Sequence, residues 1–184
     1  MTWAEQGEGK QVTTTRDTRF QRRTRDYAWG DPAETVEAAL GGLTGLELLL
    51  AIGAGELPLP PALRTLDIRP ETAAPGEVVF TLQPREFHYN PQGIVHGGIL
   101  VAMLDTSMGC AVHSHLPAYT GYVTLELSSE FLRTVDERTG PLRCVGSALP
   151  VLSGTTEAVA RMEDAGGRVM ATARSTCLIR PLLA

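Results

Sequence analysis

The residues whose types and spacing suggest chemistry lie in Asn90-Pro91-Gln92-Gly93-Ile94-Val95-His96-Gly97-Gly98, with Asp105 eight positions beyond Gly97. Ile99 to Leu104 follow directly and are all apolar, so a helix is expected to start at the glycine pair. Backbone N–H groups in a first helical turn have no intrahelical acceptor, and the helix dipole favours negative charge there. Without a Cβ, Gly97 and Gly98 let a ligand come close. The pattern is that of a carbonyl polariser. Asp105 is a carboxylate inside an otherwise apolar helix, where ionisation is costly unless a partner is present. Bland readings exist for each residue. Asp105 with Thr106 and Ser107 would cap a second helix after a break, and His96 and Asn90 would satisfy backbone groups near a turn.

At 1.5 Å rise per residue, Asp105 stands roughly 12 Å along the helix from Gly97, too far for both to touch one small functional group. A two-fold dimer with antiparallel helices removes that obstacle, because the His96-Gly97 end of one chain then faces Asp105 of the other.

The elements that must position these residues read as follows. Ile99 to Val112 is apolar on nearly every helical face up to about Pro117, so the helix has to be wrapped by the rest of the chain. Before it, Leu63 to Ile68 and Glu77 to Leu82 read as short strands, with Pro75-Gly76 as a turn signal for a hairpin. After it, four strands are expected at Tyr119 to Leu132, Leu142 to Leu152, Thr155 to Glu163 and Arg168 to Ile179. Thr139-Gly140-Pro141, Ser153-Gly154 and Gly166-Gly167 divide them. The order β-β-helix-β-β-β-β is α+β, one central helix against one antiparallel sheet. Residues 61–184 form this domain. Residues 32–60 read as a helix from Pro32 to about Ala51, weakened at Gly41, Gly42 and Gly45, followed by a Gly/Pro link. Residues 1–31, polar and rich in Thr and Arg, read as a loosely held leader.

A chain of 184 residues that is 43% hydrophobic supports one sizeable core, and its net charge of -5 argues against a general nucleic-acid binder. Cys110, Cys144 and Cys177 are widely spaced and odd in number, which fits reduced thiols and a cytoplasmic setting. No secretory signal or membrane-spanning stretch is expected. His113 and His115 flank one residue, which on a helix turns them about 200° apart, so they read as solvent-facing rather than as ligands joining His88 or His96. No metal is expected, and neither a serine-hydrolase elbow nor a phosphate-binding or dinucleotide fingerprint occurs.

At Asn-x-x-Gly-x-x-His-Gly-Gly, Asp105 and Glu130-Phe131-Leu132-Arg133, the sequence resembles the hotdog-fold acyl-CoA thioesterases of the phenylacetate-pathway (PaaI-like) group. The likeness extends loosely over Leu43 to Arg180 and not over the leader. It implies a hotdog fold, with an antiparallel sheet wrapped around the central helix. It also implies homodimers that often pair into tetramers, no cofactor, and hydrolysis of an acyl-CoA thioester. By position, Gly97 N–H would polarise the thioester carbonyl, and His96 and Asn90 would shape that end. Asp105 of the partner would act as nucleophile or general base, and Thr124 would help hold the lytic water. The position four residues after Asp105, polar in some relatives, is Gly109 here.

Two alternatives accompany this expectation: a hotdog hydratase or dehydratase, and a non-catalytic acyl-CoA sensor. Met103, Met108 and Tyr122 are candidates to line the acyl pocket. Arg133, Arg161 and Arg174 are candidates to meet the anionic coenzyme.

Overall fold

The computed structural model describes residues 21–150 and 154–182. Helices α1 (Pro32–Leu40), α2 (Gly45–Ala54) and α3 (Pro61–Leu66) precede strands β1 (Ile68–Ala74) and β2 (Glu77–Leu82). Helix α4 (Gly97–His113) follows, then β3 (Thr120–Phe131), β4 (Leu142–Ala148), β5 (Gly154–Asp164) and β6 (Val169–Pro181). The six strands form one sheet in the order β1-β2-β4-β5-β6-β3, and every neighbouring pair is antiparallel. This is the expected α+β hotdog arrangement.

Helix α4 is buried along Leu100, Met103, Leu104, Met108, Ala111 and Val112, which pack on Val78, Phe80, Leu142, Cys144, Met162 and Cys177 of the sheet. Closeness here depends on Gly146 in β4. A Cβ at that position would stand 2.1 Å from the Ser107 carbonyl oxygen, so the helix backbone rests on a strand that has no side chain at the contact.

Three details differ from expectation. Leu63 to Leu66 belongs to α3 rather than to a strand. Pro61 starts that helix, Leu63 enters the core, and the first strand begins only at Ile68. The Pro75-Gly76 turn does join β1 to β2, with Gly76 at φ 79°. Pro70 is tolerated because β1 is an edge strand with a bulge between Pro70 and Thr72. The helix expected from Pro32 breaks at the Gly41-Gly42 weakness, with Gly42 at φ 102°, and α2 restarts under a Thr44–Glu47 capping box. Strand β4 ends at Ala148, short of Leu152.

Helix α2 meets the far end of α4 at Gly45, whose N–H donates to Leu116 O at 3.0 Å and whose Cβ would stand 1.9 Å from His113 O. Residues 21–31 run outside α3. Arg25 holds them there: its guanidinium lies 3.9 Å from the Phe87 ring centre and donates to the Thr65 and Arg64 carbonyls. Residues 1–20 lie outside the described residues.

Candidate active site

The loop entering α4 is built from the expected residues. Asn90 Oδ1 accepts from Gln92 N at 2.9 Å and from Ile94 N at 3.4 Å, and Gly93 takes φ 76°. Val95 N donates to Val135 O and His96 N to His88 O, both at 2.8 Å, which fixes the approach to the helix. His96 is the N-cap. Its Nδ1 accepts from Gly98 N at 2.9 Å, so that nitrogen carries no proton in this geometry. Among the described residues the Gly97 N–H has no acceptor. The Phe131 ring covers Gly97, with Cζ 3.2 Å from where a Cβ would stand. Asn90, Gly97, Phe131 and Arg133 border one open cleft of about 360 Å³.

Asp105 lies in the middle of α4, which is one continuous helix, so the reading of a second helix capped by Asp105 does not hold. Its side chain is half-buried on the flank facing β3, where Thr124 Oγ1 donates to Asp105 Oδ1 at 3.0 Å. Strand β3 carries a register shift between Thr124 and Glu126, and such an irregularity re-aims side chains locally. Gly109 makes room for Tyr122: a Cβ there would stand 2.2 Å from the Tyr122 hydroxyl. Burial pushes the Tyr122 phenol well above its ordinary pKa. Burial, with the Asp105 charge second, pushes the Cys110 thiol up to about 12, leaving it a poor nucleophile.

The structure thus joins Asp105 to Thr124, and Asn90 to His96 and Gly97, as two separate clusters. Asp105 stands eight positions beyond Gly97 on α4, an unbroken helix of 17 residues, so one protomer does not bring Asp105 to Gly97.

Several other expected placements change. Met103 and Met108 are fully buried in the core, while Tyr122 packs on α4. His113 is not solvent-facing. Its ring lies tilted beside that of Tyr122, 5.7 Å between ring centres, and burial lowers its pKa. His115 Nε2 lies 3.1 Å from Ala148 O. Arg161 pairs with Glu163, whereas Arg133 borders the Gly97 cleft and bonds Val169 O. Phe131 over Gly97 is the contact that sequence reasoning missed. Its only sequence signal was membership of the Glu130-Phe131-Leu132-Arg133 run.

Residues 92–171 match the model of the thioesterase superfamily. No curated protein matches the chain. Among solved structures, a thioesterase from Haemophilus influenzae superposes with TM-score 0.65 at 18% identity, covering 77% of this chain and 94% of that one. The phenylacetic acid degradation-related protein of Ralstonia eutropha JMP134 gives TM-score 0.63 at 27% identity, covering 71% and 98%. AziG of S. sahachiroi gives TM-score 0.64 at 22% identity, covering 67% and 99%. The six-stranded sheet around α4 thus has the hotdog fold of these structures, and residues 92–171 within it are similar to the thioesterase superfamily.

Proposed function

We propose that the protein hydrolyses an acyl-CoA thioester to the free acid and CoA in a site shared by two copies of the chain. The observation that carries this reading is the half-buried Asp105 carboxylate, oriented by the Thr124 hydroxyl. A purely structural carboxylate on this face would gain more from an Arg or Lys partner than from one hydroxyl.

The carbonyl end comes from the second copy. The outer edge of β3, a strand of 12 residues, is unpaired among the described residues and carries exposed Val123 and Leu125. Such an edge suits pairing with another strand. Two-fold pairing there supports a homodimer, with antiparallel α4 helices bringing Gly97 of one copy toward Asp105 of the other. Gly97 N–H then donates to the thioester oxygen as negative charge develops. In the general-base route Asp105 takes a proton from water, whose oxygen adds to the carbonyl carbon. The C–S bond breaks and the CoA thiolate leaves, to be protonated in turn. In the nucleophilic route Asp105 adds directly and water opens the resulting anhydride. Thr124 holds the carboxylate in either case. Asn90 and His96 order the loop that presents Gly97, and no cofactor takes part.

We place the protein in the cytoplasm. Its three cysteines are free thiols and no described helix is long and apolar enough to cross a membrane, which fits this assignment.

The test is CoA release from a panel of acyl-CoAs, followed with a thiol reagent, for wild type and Asp105→Asn. Turnover by wild type and a loss of about 10²- to 10⁴-fold in kcat for a folded variant are expected. Binding without turnover in wild type would instead identify a sensor, and addition or loss of water at the β-carbon a hydratase.

A further inference from the structure

The Asp105 flank of α4 faces β3, but the largely apolar cavity beside this helix opens on its other flank. It measures about 330 Å³ and is bordered by Leu49, Ile52, Leu63, Val78, Phe80 and, from α4 itself, Cys110. Its walls belong to α2, α3, β1 and β2, elements that pack mainly through apolar side chains. A cavity of roughly 150 Å³ lined by aliphatic and aromatic residues is enough to bind benzene, and small-molecule pockets start near 300 Å³.

We infer that this cavity receives the distal part of an uncharged acyl chain of medium length, making α2 and β1 the determinants of acyl specificity. The inference rests on the thioesterase reading and adds the substrate class to it. Met103 and Met108 are closed within the core. Cys110 lies five residues beyond Asp105, which places the two side chains roughly 13 Å apart across the helix surface. Between them along α4 the half-buried face carries the small side chain of Thr106, over which the acyl chain would run from the carboxylate to the cavity. An acetyl group is too short to span it, whereas a chain of eight to ten carbons reaches Cys110. The rim selects further. A chain ending in its own carboxylate would have to shed its hydration against this largely apolar lining, where Glu71 at the rim is already paired with Arg143 at 3.0 Å.

Gly53 in α2 allows a clean test. It borders the cavity, and a Cβ added there meets nothing within 4 Å. Replacing a helical glycine also raises helix propensity, so Gly53→Phe should fold. Ala73→Leu fills the same space from β1. Each methylene that loses its place in an apolar pocket costs about fourfold in binding. The ratio of kcat/KM for decanoyl-CoA to that for acetyl-CoA is therefore expected to fall at least tenfold in both variants. Wild type should also prefer decanoyl-CoA at least tenfold over its ω-carboxy counterpart. An unchanged ratio in folded Gly53→Phe and Ala73→Leu overturns the inference. If wild type hydrolyses no thioester, the thioesterase reading fails separately. Calorimetric binding of a decanoyl-CoA thioether analogue, weakened at least tenfold in Gly53→Phe, then still supports the cavity assignment. Equal or absent binding in wild type and Gly53→Phe overturns it.

Discussion

Thr124 Oγ1 donates a hydrogen bond to Asp105 Oδ1 across 3.0 Å, joining β3 to the middle of α4. A hydrogen bond to a charged group contributes about 1.5–3 kcal/mol, equivalent to roughly 10- to 100-fold in a rate that depends on it. Thr124→Val keeps the shape and removes the donor. It is expected to lower kcat by about that factor with KM little changed, while Thr124→Ser restores most of the rate. Steady-state thiol release measures all three proteins. A Thr124→Val enzyme as fast as wild type would leave the hydroxyl without a role in turnover.

The shared site is open to complementation. One inactive chain carries His96→Ala with Gly97→Pro, which deletes the N–H at the carbonyl end. The other carries Asp105→Asn. Random pairing makes about half of the dimers mixed, each with one intact site, so about a quarter of wild-type activity should return. The heterodimer fraction is measured by mass spectrometry and both chains are first shown to be folded. Verified heterodimers with no activity would place both ends in one protomer's site or in none.

Gly146 tests the helix–sheet contact. A methyl group there would meet the Ser107 carbonyl oxygen at 2.1 Å, and both atoms belong to backbone that cannot rotate away. Overpacking of this kind costs about 1–3 kcal/mol, so Gly146→Ala should lower the melting temperature by about 2–12 °C. Thermal unfolding followed by circular dichroism checks it. Gly53→Ala, whose Cβ meets nothing, serves as the control.

Acid sensitivity should involve His88 and His113, whose pKa values are both lowered, chiefly by burial. A histidine depressed in the fold binds fewer protons there than in the unfolded chain. Stability is therefore full above the unfolded value of about 6.5 and declines as pH falls toward the folded value. The slope is at most about 1.4 kcal/mol per pH unit for each residue. Urea midpoints between pH 7.5 and 5 should fall, and His113→Gln should flatten the decline. A wild-type midpoint independent of pH across that window would contradict the assignment.

Local chemistry made the central elements legible in the sequence. The all-round apolar run after Gly97-Gly98 required a wrapped helix, and the Gly-containing breaks at 154 and 166–167 separated strands that pair as antiparallel neighbours, while the break at 140 divides β3 from β4, which lie apart in the sheet. The 12 Å gap between Gly97 and Asp105 also followed from helical rise alone. Short segments were less legible. Leu63 to Ile68 satisfies both helix and strand spacing, and what decides between them is the docking of Leu63 in the core together with Pro61 as a helix start. Tertiary structure alone decided which side chains meet. Thr124 reaches Asp105 only through the register of β3 on β6, and Phe131 covers Gly97 only because that strand ends beside the start of α4. Met103 and Met108 were equally apolar candidates for a pocket. The angle at which α4 settles on the sheet turned both into the core and left Cys110 facing a cavity. A helix apolar on nearly every face carries no periodic signal for that rotation, so only the packing against β4, permitted by Gly146, could set it.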